Sequence, residues 1–314
     1  MKDSFGREIT YARISLTDRC NLRCQYCMPE SGIQKKEHED ILSFEDMEKI
    51  ADTLIDLGIN KIRITGGEPL VRKGAVEFLA TLGKKEAIKK LSLTTNGTML
   101  KEYAKALYLA GVNSINVSLD TLDSQKYREV TRNGDLTTVL EGLEVAKSCG
   151  FGILKINVVL LKGINDNEVE DLVKYAQDNG FELRFIELMP FCSQSKFANK
   201  HFISLNEIAD NHKNWKYLGY IDNSTAEYYL TESGNKVGLI KPLSQKFCRS
   251  CNRVRITAAG ELINCLHNPQ SFDLKPYLDS DLGDYIEECV SKKPLKHCLE
   301  AGATQMRDMN QIGG

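Results

Sequence analysis

The sequence lacks any marked excess of charge of one sign. Its Lys and Arg residues number 41 and its Asp and Glu residues 43, which leaves a net charge of −2 with neutral histidines. A chain with such balanced charge has no overall field that would attract a nucleic acid or a membrane surface. We therefore expect neither of these as a partner.

Long apolar stretches are missing as well. No uninterrupted apolar run approaches the roughly 20 residues that cross a membrane, and the opening segment MKDSFGREITYARIS has no apolar core of signal-peptide length. We therefore expect a cytoplasmic protein. In that compartment thiols stay reduced, so clustered cysteines bind metal more often than they form disulfides.

The ten cysteines are unevenly placed, and six of them form two triplets. The triplets are Cys20, Cys24 and Cys27 in "CNLRCQYC", and Cys248, Cys251 and Cys265 in "CRSCNRVRITAAGELINC". A structural zinc site has four ligands and a disulfide has two cysteines. A triplet therefore indicates a fourth ligand from elsewhere or a metal centre with an open position. By spacing alone, the second triplet is close to a zinc ribbon, which His267 could complete.

Short β-like segments alternate with amphipathic helical segments from residue 11 to about residue 189. The expected strands are 11–17, 61–65, 91–96, 114–120, 153–160 and 182–188. The first helix is expected to begin after Ser43, an N-cap, and to end at Gly58. Repeated strand–helix units imply a parallel sheet, and six are too few to close an eight-stranded barrel. The fold is therefore an α/β partial barrel or a doubly wound sheet.

The predicted strands have one polar and one apolar face. Arg13 and Ser15 share a face of the first strand, and Lys155 and Asn157 share a face of the fifth. Parallel strands covered on both faces are usually apolar throughout. The apolar faces can pack against helices, so the polar faces must face water or a bound ligand. This pattern favours a partial (β/α)6 TIM-like barrel with a polar concave side.

The pattern changes near residue 195. The segments NWKYLGYI, AEYYLTE, KVGLIKP and RVRITAAGELINC are typical of short antiparallel strands, and helical segments follow them. We therefore expect one domain over residues 1–195 and a smaller α+β domain over residues 196–314. Trp215 and Phe247 are both expected to lie in the core of this second part.

The first triplet resembles the signature of the radical S-adenosylmethionine (SAM) enzymes. The segment "RITGGEPL", one strand later, resembles their glycine–glycine–glutamate motif. In that superfamily three cysteines hold a [4Fe–4S] cluster, and the remaining iron binds the amino and carboxylate groups of SAM. The reduced cluster cleaves SAM to methionine and a 5′-deoxyadenosyl radical. The resemblance implies that Cys20, Cys24 and Cys27 hold such a cluster.

From about residue 8 to residue 314 the sequence is similar to the GTP 3′,8-cyclase family, which opens molybdenum cofactor biosynthesis. This resemblance implies a second [4Fe–4S] cluster on Cys248, Cys251 and Cys265, with an open iron that binds the guanine of GTP. The deoxyadenosyl radical takes hydrogen from C3′ of the ribose, and the C3′ radical attacks C8 of the purine. The implied partners are GTP, an electron donor, a downstream cyclic pyranopterin monophosphate synthase and a second copy of the chain.

The resemblance also assigns roles to single residues. Positions that match SAM contacts are Tyr26, Gly66, Gly67, Ser118 and Met189. Positions assigned to GTP binding are Arg13, Lys61, Arg63, Thr94, Lys155, Arg184, Arg253, Val254 and Arg255. Catalytic roles fall to Arg13, Arg253, Arg255 and a tail ending in Gly313 and Gly314 that reaches into the barrel.

The charges on the predicted strands support an anionic ligand independently. Several of the cations assigned to GTP lie on the polar strand faces, where Asp120 and Glu187 are the expected countercharges. Uncompensated cations inside a fold are costly, so a bound anion is the expected partner. A triphosphate suits this set, since arginine offers paired donors and lysine a point charge.

Two alternatives remain from the sequence. The first is a radical SAM peptide- or protein-modifying enzyme with an auxiliary cluster. The enzymes of that kind carry a longer C-terminal array of cysteines, which Cys289 and Cys298 do not supply. The second is a zinc-binding adaptor, which would need neither the polar sheet face nor the SAM-like motif.

Overall fold

The structure is a computed structural model that describes residues 1–33, 40–191, 194–221, 224–297 and 307–313. Gly314, for which a catalytic role is expected, lies outside the described residues, as do Cys192 and Cys298. Within the described ranges, no helix is both long enough and apolar enough to cross a bilayer.

The six strands of the first part form a parallel sheet in chain order. They are β1 (Tyr11–Ser15), β2 (Lys61–Thr65), β3 (Lys90–Thr95), β4 (Ser114–Ser118), β5 (Ile153–Leu160) and β6 (Glu182–Glu187). The expected strands are thereby confirmed, with ends that differ by one or two residues. Each pair is joined by a helical connection, as a parallel arrangement requires.

Helices cover the outer face of this sheet. They are α1 (Phe44–Asp56), α2 (Ala75–Gly83), α3 (Leu100–Leu109), α4 (Ser124–Thr131), α5 (Leu136–Cys149) and α6 (Val169–Asn179). Helix α1 begins as predicted, because the Ser43 hydroxyl accepts a hydrogen bond from the backbone N–H of Asp46 at 3.0 Å. Three further helices follow, α7 (Ser195–His201), α8 (Leu205–Asn211) and α9 (Leu282–Ser291).

The main hydrophobic core lies between the helices and the apolar face of the sheet. Met47 and Leu54 of α1 are fully buried together with Ile62 and Ile64 of β2. Trp215 also belongs to this core, as expected. Burying apolar residues on one face leaves the polar residues of each strand on the other, which is why the concave side is hydrophilic.

The later strands extend the sheet at both edges. They are β7 (Lys216–Tyr220), β8 (Ala226–Leu230), β9 (Lys236–Ile240), β10 (Arg253–Ile256), β11 (Glu261–Ile263) and β12 (Phe272–Asp273). The order across the single sheet is β12-β11-β10-β1-β2-β3-β4-β5-β6-β9-β8-β7.

The expectation that these later strands are antiparallel is confirmed where they pair with one another, as in β8 with β9 and β10 with β11, but β9 and β10 each also have a parallel neighbour. Strand β9 pairs in parallel with β6, and β10 pairs in parallel with β1. An open six-stranded sheet leaves a row of unpaired backbone groups on each outer strand, and β9 and β10 supply the missing hydrogen bonds. The boundary between domains at residues 195 and 196 stays a prediction.

Candidate active site

The polar faces of the strands line one cavity of about 540 Å³, within the size range of small-molecule sites. Residues from opposite edges of the six-stranded sheet, Arg13 of β1 and Arg184 of β6, both line it, so the sheet curves around this space. All six cysteines of the two triplets face it. So do most of the other predicted site residues: Tyr26, Lys61, Arg63, Gly66, Gly67, Thr94, Ser118, Lys155, Met189, Arg253 and Arg255.

Val254 does not line the cavity with its side chain. It is fully buried in the hydrophobic core, because neighbouring residues of β10 point to opposite faces of the sheet. Phe247 was expected in the core, but it too differs from expectation. It lines the cavity, with the Arg253 guanidinium 5.6 Å from its ring centre, and is not a core residue.

The first triplet lies on a loop directly after β1 that neighbouring segments hold on two sides. On one side, the Arg132 side chain donates hydrogen bonds at 3.1 Å to the carbonyls of Arg23 and Met28. On the other, the backbone N–H of Gly67 donates to the Thr17 carbonyl at 2.7 Å. A side chain at Gly67 would overlap the loop backbone, so glycine permits this close approach.

Glu68 of the same motif anchors the neighbouring strand ends. Its buried carboxylate accepts hydrogen bonds from the Thr95 hydroxyl at 2.9 Å and from the backbone N–H groups of Leu70 and Asn96 at 3.1 and 2.6 Å. Burial raises the pKa of this carboxyl group to about 7, although the hydrogen bonds lower it. The carboxylate thereby holds β2 and β3 beside the cysteine loop.

The thiols of the first triplet lie in an acidic environment. Burial, with contributions from Cys20, Asp308 and Asp120, raises the pKa of Cys27 to about 12, although the backbone N–H of Asn310 opposes this change. Burial also raises the pKa of Cys20 and Cys24. Deprotonation of such thiols requires a strong positive charge, which bound iron supplies.

The second triplet lies in a basic environment. Cys248 and Cys251 flank a short 3-10 turn, and Cys265 follows β11. Burial alone would raise the pKa of Cys251, but Lys293, Arg253 and Arg7 lower it below its usual value. The two triplets therefore face one cavity from surroundings of opposite charge.

The two triplets fit iron–sulfur clusters better than a single ion. No three His, Cys, Asp or Glu side chains of the described residues are grouped as ligands of one metal ion would be, and His267 completes no such group. In a four-iron cluster each thiolate binds its own iron, so the thiols need not converge on one point. Three thiols on one loop, open to a cavity on the remaining side, suit a cluster with one free iron.

Three arginines lie side by side across the neighbouring strands β10, β1 and β2. Arg13 is paired in register with both Arg255 and Arg63. Burial, together with the neighbouring Arg63 and Arg253, lowers the pKa of Arg13 to about 10, although Tyr11 opposes this change. This accumulation of like charge is stable only with an anion nearby.

Tyr11 was not predicted as a site residue, yet it lies at the centre of this cationic surface. Burial would raise the pKa of its hydroxyl, but Arg63, Arg13 and other nearby cations lower it to about 7. The guanidinium of Arg253 lies 5.8 Å from its ring centre and the Lys61 ammonium 4.8 Å. Its place two residues before Arg13 on the same face of β1 could have indicated it.

The countercharge on the opposite wall is Glu182. Its carboxylate forms ion pairs with Lys155 and, at 2.7 Å, with Arg184. Burial would raise the pKa of Glu182, but Arg184 and Lys155 lower it to about 2. Glu187 also lines the cavity, and its carboxylate accepts backbone hydrogen bonds from Leu205, Leu243 and Ser244, so its role as a countercharge stays a prediction. Glu182 is two residues before Arg184, so the period of a strand could have revealed it.

The wall near the first triplet carries polar groups without protein partners. Asn116 and Asn157 face the cavity, and their buried side-chain oxygens accept no hydrogen bond from any described residue. Tyr26 donates a hydrogen bond from its hydroxyl to Asp120 at 2.7 Å, and burial raises the pKa of Asp120 to about 6. Buried amide oxygens without partners are costly and indicate a bound ligand with hydrogen-bond donors.

The C-terminal tail enters the concave side of the sheet. Asn310 donates a side-chain hydrogen bond to the Asp18 carbonyl at 3.1 Å, and Ile312 is buried. The Arg255 guanidinium donates to the carbonyl of Ile312 at 3.3 Å and to that of Gly313. A side chain at Gly313 would lie 2.7 Å from the Thr65 hydroxyl.

Two family comparisons cover most of the chain. Residues 14–176 match the radical SAM superfamily, and residues 181–299 match the family described as Molybdenum Cofactor Synthesis C. The radical SAM match sets aside the zinc-binding adaptor. SAM and iron–sulfur clusters are the cofactors of that superfamily, and two clusters are typical of its molybdenum cofactor branch.

Curated relatives match along the full length. A GTP 3′,8-cyclase of Peptoclostridium acidaminophilum is 46% identical over 317 residues, which cover 99% of this chain and 98% of that protein. A GTP 3′,8-cyclase of Alkaliphilus oremlandii is 44% identical over 320 residues, which cover both chains completely.

Solved structures agree on the fold. Streptococcus suis SuiB superposes with a TM-score of 0.66 at 16% identity, over 89% of this chain and 66% of that one. The structure of anSMEcpe with bound AdoMet superposes with a TM-score of 0.59 at 18% identity, over 90% of this chain and 84% of the other. At this level of identity the likeness shows the fold alone. The full-length identity to the curated relatives shows that the chain belongs to the GTP 3′,8-cyclase family of radical SAM enzymes.

Proposed function

We propose that the protein converts GTP to (8S)-3′,8-cyclo-7,8-dihydroguanosine 5′-triphosphate, the first step of molybdenum cofactor biosynthesis. The observation that carries this proposal is the convergence of two cysteine triplets and a cationic surface on one cavity. A radical enzyme must keep the site where its radical forms close to the substrate and away from water. A single cavity that meets both triplets satisfies this need.

The cysteine triplets are the proposed cluster ligands. Cys20, Cys24 and Cys27 would hold the cluster that binds SAM, and Cys248, Cys251 and Cys265 would hold the cluster that binds the guanine. When bound, these groups supply one-electron chemistry, a carbon radical and an open iron. The chain itself supplies the loop anchored by Gly67 and Arg132, which keeps the first three thiols in place.

SAM would lie beside the first triplet, against Tyr26, Ser118 and Met189. Gly66 and Gly67 allow the loop to pack closely there. The unpartnered amide oxygens of Asn116 and Asn157 offer acceptors to the hydroxyl and amino groups of SAM or of the substrate.

The triphosphate would lie against the cations of the cavity wall, chiefly Lys61, Arg63 and Lys155, with Arg184 and Thr94 at its edge. Arginine can hold two phosphate oxygens at once, and a lysine ammonium adds a point charge. Arg13, Arg253 and Arg255 would orient the sugar and base near the second triplet. The tail, through Ile312 and Gly313, would keep Arg255 in its position.

Several finer expectations are part of the same proposal. Residues 1–195 would form the radical SAM domain, and residues 196–314 would contribute the second cluster and the tail. A low-potential electron donor would reduce the clusters, and a cyclic pyranopterin monophosphate synthase would consume the product. A cytoplasmic location and a homodimer stay predictions.

Anaerobically reconstituted protein tests the proposal. With SAM, dithionite and GTP carrying deuterium at C3′, we expect the cyclic nucleotide and 5′-deoxyadenosine that has acquired deuterium, both measured by mass spectrometry. Iron and sulfide analysis should give about eight irons per chain, because each cluster holds about four. Unlabelled 5′-deoxyadenosine without a cyclic nucleotide would instead favour the peptide- or protein-modifying alternative.

Two cysteine variants separate the clusters. Cys24→Ala should abolish SAM cleavage and retain the iron of the second cluster. Cys265→Ala should retain SAM binding, weaken GTP binding and stop cyclisation. Normal turnover of GTP by Cys265→Ala would contradict the role of the second cluster.

A further inference from the structure

Three lysines are buried among the described residues, and they differ in their partners. Lys155 and Lys241 form ion pairs with Glu182 and Glu227, respectively. Lys293 is 2% exposed and forms no ion pair with a carboxylate in the described part of the chain. Burying an ammonium group without a negative partner is costly, so its charge needs an explanation.

Lys293 makes its hydrogen bonds to the backbone around the second triplet. Its ammonium group donates to the Arg253 carbonyl at 2.8 Å and to the Asn264 carbonyl. Arg253 comes two residues after Cys251, and Asn264 directly precedes Cys265. Carbonyl groups satisfy the donors, but they bring no full negative charge.

In the described part of the chain, the groups near Lys293 that can carry a negative charge are Cys251 and Cys265. Burial lowers the pKa of Lys293, whereas the nearby Cys251 and Cys265 raise it. In return, Lys293 is the strongest of the cations that lower the pKa of Cys251. The lysine and the thiols therefore compensate each other's burial.

Lys293 approaches the triplet from the side that faces away from the cavity. It is absent from the lining of the cavity, whereas Arg253 and Arg255 belong to that lining. Arg7 also reaches the triplet, through a hydrogen bond to the Cys248 carbonyl at 2.8 Å, but its charge is balanced by Asp3. Among the residues that the structure describes, Lys293 has no such carboxylate, and it does not line the cavity.

We propose that Lys293 is the buried countercharge of the second iron–sulfur cluster and raises its reduction potential. The inference rests on the assignment of Cys248, Cys251 and Cys265 to that cluster under the proposed function. A four-iron cluster with three thiolates is an anion, and it becomes more negative when it accepts one electron. A fixed cation therefore stabilises the reduced form more than the oxidised form.

Acidic side chains lie around the first triplet. Asp120 lines the cavity with the three thiols and accepts a hydrogen bond from Tyr26 of the same loop at 2.7 Å, and Glu68 accepts one at 2.6 Å from the backbone N–H of Asn96, whose side chain donates to Cys20. Acidic neighbours disfavour the gain of an electron, so the two clusters should differ in potential. The second cluster should be reduced at the higher potential, and Lys293 should account for part of the difference.

A redox titration followed by electron paramagnetic resonance tests this directly. The full chain with Cys20, Cys24 and Cys27 changed to Ala isolates the second cluster, and dithionite is the one-electron reductant. Lys293→Gln keeps hydrogen-bond donors but loses the charge, Lys293→Met loses both, and Lys293→Arg keeps the charge. Lys292→Gln is the matched control, because that neighbouring lysine is exposed and paired with Glu288 at 2.6 Å.

We expect one-electron reduction to become at least tenfold less favourable in Lys293→Gln and Lys293→Met. This change corresponds to a midpoint about 59 mV lower or more. Lys293→Arg and Lys292→Gln should keep the parent midpoint. An unchanged midpoint in Lys293→Gln, with about four irons still bound, would overturn this inference alone. A parent chain that binds no iron at the second triplet would overturn the cluster assignment and the inference together.

Thermal unfolding with and without the cluster gives a second readout that needs no redox signal. Without the cluster, Lys293→Met loses only the two hydrogen bonds to carbonyl groups, so it should lower the unfolding temperature less than it does with the cluster. With the cluster, Lys293→Met should unfold earlier than the parent and lose iron faster. Equal destabilisation of both forms, or failure of the cluster-free variant to fold, would identify Lys293 as a purely structural crosslink and overturn the proposal.

Discussion

The hydroxyl of Tyr11 accepts a hydrogen bond from Nε of Arg63 at 2.8 Å inside the cavity. The same arginine donates through Nη1 to the Thr94 hydroxyl and to the Leu93 carbonyl, both at 3.2 Å. Two sides of the guanidinium are thereby fixed. Tyr11 therefore holds in place Arg63, which is proposed to bind the triphosphate, and adds no positive charge of its own.

Replacement of Tyr11 by Phe should weaken GTP binding below pH 7. The variant removes the acceptor that orients Arg63, which is worth roughly 0.5–1.5 kcal/mol, or about two- to tenfold in the dissociation constant. Because the pKa of Tyr11 is about 7, the wild-type phenol becomes an anion above that pH and repels the triphosphate. The difference between wild type and variant should therefore shrink as pH rises.

Calorimetric titrations with GTP on either side of pH 7 measure this difference. Tyr108→Phe is the control, because Tyr108 is 47% exposed and packs edge-on against Phe151. If Tyr11→Phe lost the same amount of GTP affinity at both pH values, this result would argue against ionisation of the phenol.

Lys155 should impose a second pH dependence on GTP binding. Burial, together with Arg184, lowers its pKa to about 8, although Glu182 opposes this change. Only the protonated ammonium attracts phosphate, so the contribution of Lys155 to affinity should be full below pH 8 and should fall above it. The expected slope approaches tenfold per pH unit until the pKa of the complex is reached.

Lys155→Met should bind GTP more weakly and lose this slope above pH 8. Guanosine has no phosphate, so its affinity should change little in the same variant. Lys174→Met, which alters an exposed lysine paired with Asp178, should keep the wild-type profile. If Lys155→Met retained the full slope, another group would be responsible.

Gly67→Ala should destabilise the loop of the first triplet. An added Cβ would lie 2.7 Å from the Asp18 carbonyl oxygen and would overlap that of Arg19. Overpacking of this kind costs roughly 1–3 kcal/mol. We expect iron loss at the first cluster and weaker SAM binding, measured by iron analysis and calorimetry. Gly152→Ala is the control, because its added Cβ would lie 3.5 Å from the Asn113 carbonyl oxygen, which is ordinary van der Waals contact.

Gly313→Ala should separate product formation from cofactor binding. The residue has a φ of +68°, and an added Cβ would lie 2.7 Å from the Thr65 hydroxyl. The carbonyl groups of Ile312 and Gly313 would then no longer accept hydrogen bonds from Arg255. We expect both clusters and SAM binding to be retained and cyclic nucleotide to be lost, and a tag after Gly314 should act in the same way.

Gly234→Ala provides the matched control for the tail. Gly234 also has a positive φ, of +83°, but its added Cβ would meet nothing within 4 Å. It should cost about 1–2 kcal/mol of stability through backbone strain alone. Its product yield per folded molecule should remain that of the wild type. Full activity of Gly313→Ala would show that the tail does not position Arg255.

Features that repeat along the chain were determined by the sequence itself. Alternation with a period of two placed Arg13, Arg63 and Lys155 on the polar face, because side chains of a strand alternate strictly between faces. The six strand–helix units and the N-cap at Ser43 follow from similarly local signals. The same alternation would have placed Tyr11 and Glu182 in the site.

Contacts between distant segments were decided only by the tertiary structure. Strand β9 pairs in parallel with β6, and β10 pairs in parallel with β1. These pairings depend on the outer edges of β6 and β1, and no local sequence pattern indicates that these edges are free to pair. Phe247 directly precedes the 3-10 turn that begins at Cys248, and the position of that turn in the fold places its side chain in the cavity. That Lys293 has carbonyl groups and no carboxylate beside it, within the ranges that the structure describes, becomes visible only when its three-dimensional neighbours are known. Local periodicity fixes which face a side chain takes, whereas charge compensation depends on groups far apart in the chain and therefore on the complete fold.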